Sequence, residues 1–117
     1  MSIPSTGLKT LAPTNPWPLS PSGDKRFHLL AETFKALGDF SRVKIVWVLS
    51  QRECFVGDIA ELVAMTPSAV SHHLRTLRNM NLVKVRREHR QLFYSLDDEH
   101  IETLLKEGIK HVEDLVP

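Results

Sequence analysis

Near the end of the chain, Asp98, His100, His111 and Asp114 follow the pattern D-x-H-x10-H-x2-D. Two imidazoles and two carboxylates make a nitrogen and oxygen donor set suited to a divalent metal ion. With Ile101 at zero on a helical wheel, His100, His111 and Asp114 fall at about 260°, 280° and 220°, a stripe flanking an apolar face. Glu113, at about 120°, points elsewhere, which makes Asp114 the better companion of His111. The two histidines stand about 16 Å apart along one helix. One zinc ion, with ligands at about 2 Å, cannot bridge that gap. If two copies of the helix pack antiparallel about a two-fold axis, His100 of one meets His111 of the other. The plainer alternative is that Asp98 caps the helix and both histidines are solvated.

A second constellation lies between Thr66 and Asn79. With Val70 at zero, Leu74 and Leu77 fall within about 40° of it, while Ser68, His72, Arg75 and Asn79 gather within about 40° of the opposite side. These short or forked hydrogen-bonding groups include no acid, which suits a groove lined by base edges and phosphates. Ser68 and Ser71, near the helix start, can also present backbone N–H groups to phosphate. An ordinary solvated helix face is the alternative reading.

The elements that must position these residues follow from periodicity and punctuation. Residues 1–22 carry Pro4, Pro13, Pro16, Pro18 and Pro21 among Ser and Thr and read as a flexible arm, with Trp17 the residue able to anchor it and no Cys or His to bind metal. A single domain is expected over 23–117. Phe27, Leu30, Ala31, Phe34 and Leu37 form the apolar stripe of a first helix, which Gly38 is placed to end. Ser41 can cap a second, central helix in which Val43, Ile45, Val46, Trp47, Val48 and Leu49 leave almost no polar face. A short third helix covers about Asp58 to Ala64, with Ile59, Leu62 and Val63 inward. Thr66 as N-cap and Pro67 at the first helical position open a fourth helix that runs to about Met80. Leu82–Arg87 and Gln91–Leu96 read as two strands around a tight turn, with Val83, Val85, Leu92, Tyr94 and Leu96 inward. A last helix spans about Glu99 to Leu115, with Ile101, Leu104, Leu105, Ile109, Val112 and Val116 on one face. The order α-α-α-α-β-β-α is that of a winged helix-turn-helix, mainly α with one β-hairpin.

The formal net charge of +1 conceals a division along the chain. Between Thr66 and Leu96, Arg75, Arg78, Lys84, Arg86, Arg87 and Arg90 face Glu88 alone, whereas the segment from Asp97 onward is acidic. Lys84, Arg86, Arg87 and Arg90 place positive charge on the tip and flanks of the hairpin, where it can grip phosphate or probe a minor groove. The 117 residues, 42% of them hydrophobic, suit one small domain, for which burial at a subunit interface would add stability. No apolar run approaches a membrane span, and Met1-Ser2-Ile3-Pro4 lacks the features of a secretion signal, so the chain reads as cytoplasmic. One cysteine, Cys54, excludes an internal disulfide framework.

Leu37-Gly38-Asp39-Phe40-Ser41-Arg42, Val56-Gly57-Asp58-Ile59-Ala60, the run from Ser68 to Arg78, and Phe93-Tyr94-Ser95-Leu96-Asp97 together resemble the ArsR/SmtB family of metal-responsive repressors, from about Leu30 to Asp114. The resemblance implies a homodimer paired through the first and last helices, bound to a pseudo-palindromic operator in double-stranded DNA. The outward face of the fourth helix and the basic wing are then expected to supply the DNA contacts: Thr66, Ser68, Ser71, His72, Arg75, Asn79, Arg87, His89 and Arg90. It also implies a zinc site in each half of the dimer, with Asp98 and His100 from one chain and His111 and Asp114 from the other; cobalt(II) and nickel(II) are alternatives. The free ring nitrogen of His111 would then donate to the backbone carbonyl of Asn81, just after the recognition helix.

Three departures stand out. His89 occupies a wing position where many members have glycine, so it should adopt a left-handed conformation or lengthen the turn. Asp114 is shorter than the Glu or His often found there. Cys54 lies one residue away from the first of the two cysteines of arsenic- and cadmium-sensing members, whose positions are Phe55 and Gly57 here, and reads as a small packing residue.

Four protein ligands leave zinc no open position for an activated water, and no nucleophile elbow, phosphate loop or dinucleotide fingerprint is present. No enzyme and no small organic substrate are expected. Two other classes stay open: a DNA-binding regulator without metal input, and a winged-helix module that binds protein.

Overall fold

The computed structural model describes residues 21–117. The expected proline-rich arm lies outside them, apart from Pro21 and Ser22, which already belong to the first helix, α1 (Pro21–Leu37). Internal contacts divide the chain between Phe34 and Lys35, within α1. In the first unit Phe27, Leu30 and Phe34 form the expected stripe, and all three are exposed in the single chain, at 46%, 46% and 52%.

The second unit contains α2 (Phe40–Gln51), β1 (Cys54–Phe55), α3 (Val56–Val63), α4 (Pro67–Asn79), β2 (Val83–Glu88), β3 (Gln91–Leu96) and α5 (Glu99–Glu113). This is the expected order with one addition. The two-residue strand β1 pairs antiparallel with β3, Cys54 opposite Tyr94 and Phe55 opposite Phe93, so the sheet runs β1-β3-β2. Two residues carry no readable alternation, and only the proximity of β3 makes a strand of them. The added strand also moves the start of α3 to Val56, ahead of the expected Asp58.

The caps are local and specific. Asp39, not Ser41, closes the start of α2, its Oδ1 accepting the Arg42 N–H at 3.0 Å. Gly38 does follow α1, giving its N–H to the Lys35 carbonyl, but without a positive φ. Both helices of the helix-turn-helix end the same way. Ala64 (φ 57°) and Asn81 (φ 58°) are left-handed, and the next residue donates back across the last turn, Met65 to the Ala60 carbonyl and Leu82 to the Leu77 carbonyl. These are Schellman-type ends, which Asn accepts more readily than Ala.

The core is shared among α2, α3, α4 and the sheet. Ile45, Val46, Ile59, Val70, Leu74 and Leu77 are wholly buried, with Cys54, Leu82 and Val83 close to it. Two inward assignments, Leu62 and Leu92, are corrected. Leu62 is 56% exposed, and Ala60 takes the buried place beside Ile59 and Val63, because Val56, Ala60 and Val63 turn with Ile59 to one side of the helix and Leu62 falls outside that arc. Leu92 is exposed because it pairs with Arg87 near the hairpin tip, beyond the reach of the helices. Trp47 lies half outside: α2 buries Ile45, Val46, Val48 and Leu49 and leaves Val43 and Trp47 facing an apolar groove that Leu62, Val63 and Ile109 also line. No residue of α5 is fully buried; Ile101 and Leu105 rest on the core, while Val112 is exposed.

Leu74→Ala should cost about 2–5 kcal/mol, since the whole side chain leaves a filled site, and the shift of the urea midpoint measures it. Asp39→Ala should cost about 0.5–2 kcal/mol through the lost cap. The Arg42 N–H bond holds the Asp39 carboxyl below its ordinary value, and the neighbouring Arg42 charge adds to it. Its contribution is therefore complete above the unfolded pKa and is lost as pH falls through the lower folded one. Asp39→Asn, which retains an acceptor, should flatten that acid limb of the stability profile.

Candidate functional site

Helix α4 is fixed at its start by Thr66, whose hydroxyl oxygen accepts the Ala69 N–H at 3.1 Å, with Pro67 in the first turn. Val70, Leu74 and Leu77 lie wholly buried against α2 and α3. Burial of that stripe leaves Ser68, Ser71, His72, Arg75 and Asn79 exposed together along the opposite side, as the wheel requires. The cap uses one lone pair of the Thr66 oxygen, which leaves its O–H and a second lone pair for an outside partner. Ser71, Leu74, Arg75, Arg78, Asn79 and Tyr94 line a cleft of about 480 Å³ between α4 and the sheet. Arg78 and Tyr94 were absent from the site read in the sequence. The 100° wheel sets Arg78 off the polar cluster, and alternation turns Tyr94 inward; Tyr94 is half-buried and also borders the cleft.

The wing is built on a six-pair ladder from Val83–Leu96 to Glu88–Gln91. The ladder leaves a two-residue turn, His89-Arg90, and His89 adopts φ 56° while Arg90 does not. His89 thus takes the left-handed conformation expected of a residue in glycine's place. Alternation along the strand gives the arginines different fates. Arg87 shares a face with Val85 and Tyr94, the face that borders the α4 cleft. Arg86 lies on the other face and is fully engaged. Its Nε and Nη2 reach Glu53 at 2.9 and 2.6 Å, its Nη1 reaches Glu88 at 2.5 Å, and its guanidinium lies 4.8 Å over the Phe93 ring. Phe93 in turn meets Phe55 edge-on at 5.9 Å. The hydrogen bonds from Arg86 hold the Glu53 carboxyl below its ordinary value, and those carboxylates raise the guanidinium in return.

Arg86 therefore belongs to the wing's own framework and leaves the set of free cations expected on its flanks. Among the described residues no hydrogen bond or ion pair occupies the guanidinium of Arg75, Arg78, Arg87 or Arg90. These four, with Lys84, are the cations open to a polyanion.

On α5, Asp98 does cap the helix: its Oδ1 accepts the Ile101 N–H at 3.1 Å. The same oxygen lies 3.6 Å from His100 Nδ1, and the His100 side chain is 86% exposed. His111 sits in the last turn and Asp114 just past it, both exposed. Within one chain, among the described residues, no three His, Cys, Asp or Glu side chains come close enough to share a metal ion. The chemistry of the donors nonetheless fits one: the two carboxylates and two imidazoles are all accessible, and Asp98 Oδ2 takes no hydrogen bond among the described residues. Asn81 is exposed in its left-handed turn after α4, as its place between helix and wing demands.

Cys54 is buried in β1, its thiol pushed up by that burial and directed at the Arg52 carbonyl 3.6 Å away. It is a packing residue. No helix among the described residues is long and apolar enough to cross a membrane.

Comparison with known proteins places this geometry. Residues 39–85 match the family described as bacterial regulatory protein, arsR family. The cadmium resistance transcriptional regulatory protein CadC homolog of Staphylococcus aureus is 43% identical over 83 residues, 70% of this chain and 69% of that protein. The HTH-type transcriptional regulator NmtR of Mycobacterium tuberculosis is 42% identical over 98 residues, 84% of this chain and 82% of that one. The solution structure of apo-NmtR superposes with a TM-score of 0.69 at 41% identity, covering 81% of this chain and 80% of that one. A homodimeric winged helix-turn-helix DNA-binding domain from Mycobacterium bovis gives a TM-score of 0.74 at 28% identity, covering 81% and 87%. At this identity and coverage, the chain belongs to the ArsR/SmtB family of bacterial transcriptional regulators.

Proposed function

We propose that this chain is a metal-dependent transcriptional repressor whose metal-free dimer binds operator DNA, and that zinc taken up between the last helices of the dimer lowers that affinity. The observation that carries the DNA reading is the outer face of α4: a hydrogen-bonding stripe with no acid that includes Arg75, with Arg78, Arg87 and Arg90 beside it, all four guanidiniums without a hydrogen-bond or ion-pair partner among the described residues. Such a helix presents base-reading side chains to a major groove, and the wing arginines beside it add phosphate contacts.

Pairing of two chains is supported by what one chain leaves uncovered. Leu30 and Phe34 on α1, and Val112, Leu115 and Val116 at the end of α5, are exposed, and the groove beside Trp47 is apolar. So much open apolar surface marks an interface. The Mycobacterium bovis neighbour is a homodimer, and the Staphylococcus aureus relative is named for cadmium resistance.

Asp98 and His100 of one chain with His111 and Asp114 of a second would hold the zinc ion; cobalt(II) and nickel(II) suit the same donors less specifically. Bound there, zinc supplies a fixed electrostatic tie between the two α5 helices. The chain's own part is to convert that tie into a change at α4. The His111 ring nitrogen that faces away from the ion would donate to the Asn81 carbonyl, in the turn where α4 passes into the wing. A tenfold loss of DNA affinity requires about 1.4 kcal/mol of coupling, and DNA must weaken zinc binding by the same factor.

Titration should find one zinc ion per chain; a chain that takes up none is a regulator without metal input. In gel shifts on the promoter adjoining its own gene, His111→Ala should bind as the unsubstituted protein does and no longer release on adding zinc. Loss of DNA binding as well would make His111 part of the scaffold. Arg75→Ala should lower affinity for the operator and spare random sequence, a difference of about 1–3 kcal/mol. Arg90→Ala should weaken binding to all sequences and reduce the salt slope by about 1. Arg86→Ala should leave the slope unchanged, because that guanidinium is already paired.

A further inference from the structure

Behind the exposed face of α4, one side chain makes a directed contact with the scaffold. Arg42, in the first turn of α2, gives its Nε–H to Nδ1 of His73 at 3.3 Å. The same guanidinium reaches the Ala36 carbonyl at the end of α1 at 3.5 Å through Nη1, and the Arg42 backbone N–H is held by Asp39. His73 is half-buried, and its ring meets that of the exposed His72 edge-on at 5.8 Å. Among the described residues, no other side-chain hydrogen bond ties α4 to a different element.

That matters because of what apolar burial leaves unfixed. Val70, Leu74 and Leu77 keep α4 on the core, but such contacts are non-directional and tolerate a small rotation or slide of the helix. Reading a base edge does not, since the groove-facing groups must sit within about 0.5 Å and 10–20° of their working positions. A hydrogen bond from a planar guanidinium has direction, and this one sits next in sequence to His72 on the reading face.

We propose that the Arg42–His73 hydrogen bond is the pin that sets the rotation of α4, making both residues positioning residues for operator discrimination although neither belongs to the face that meets DNA. The proposal rests on α4 being the helix that reads DNA. The bond requires His73 to be neutral with its proton on Nε2, leaving Nδ1 as acceptor. Losing it spares the wing cations and the phosphate contacts they make, so its absence falls on sequence reading alone.

The experiment compares unsubstituted protein, His73→Leu, His73→Gln and Arg42→Lys by fluorescence anisotropy, on operator DNA and on random duplex across a salt series. His73→Leu preserves bulk and removes the acceptor; His73→Gln restores one. His73→Leu and Arg42→Lys should each lose roughly tenfold in operator affinity, with random-duplex affinity and salt slope unchanged, and His73→Gln should recover most of the loss. Nitrogen-15 spectra of the unsubstituted protein's histidine rings provide a readout that needs neither DNA nor a substituted fold: His73 should show an unprotonated Nδ1 and a protonated Nε2.

A protonated Nδ1 in the neutral ring, unchanged discrimination in His73→Leu, equal loss on both DNAs, or no rescue by Gln each overturns the pin. Should the unsubstituted protein bind no operator, the DNA reading fails and takes the pin with it; should it bind normally while His73→Leu discriminates as well, the pin alone falls.

Discussion

Everything outward-facing in this molecule depends on the burial of three residues on one helix. Val70, Leu74 and Leu77 are fully withdrawn from water, and a helix has only one way to bury residues at that spacing. Their burial turns Ser68, His72, Arg75 and Asn79 to solvent as a set. The polar face is thus a consequence of the apolar one. The turn before the helix and the turn after it are held by the same device, a left-handed residue with a back-bonded neighbour, so both ends of α4 are fixed in direction as well as in place.

The wing shows how the same residue type acquires two roles within two positions. Arg86 and Arg87 are adjacent, and strand alternation sends them to opposite faces of the sheet. On its face Arg86 meets Glu53, Glu88 and Phe93 and becomes a clamp between the hairpin and the segment leading into β1. Arg87 meets no acid and remains a free cation beside the α4 cleft. Packing separates them: the charge of a guanidinium paired with two carboxylates is more than offset locally, whereas an unpaired one contributes all of its charge. The Arg86 clamp is itself exposed, so its worth lies in geometry more than in stability.

The second unit closes a core but leaves apolar surface open. Its core is closed by α2, α3, α4 and the sheet, yet Val112, Leu115 and Val116 at the end of α5 stay exposed, and the histidines of α5 stand separated along the helix axis. The same helix that lacks a cover carries the lone donors. A partner that covered it would also supply the missing ligands, which is why pairing and metal binding are proposed together.

Much of this was legible in the residues alone. The helical spacing of apolar side chains, the Thr66-Pro67 start, and the alternation in the hairpin are local properties, decided within a turn or a strand, and they determined the element order, the buried stripe of α4 and the strained turn at His89. The motifs from Leu37 to Asp97 determined the family. What depended on residues distant in sequence was decided only by the tertiary structure. Strand β1 exists because β3 lies beside it; Leu62 and Leu92 are exposed because of where their neighbours end; Arg86 is bound by Glu53, 33 positions away, and His73 by Arg42, 31 positions away. Periodicity reports which side of an element faces inward, because that is set by the pitch of a single segment. It cannot report which polar group stands opposite, because that is set by how segments are packed.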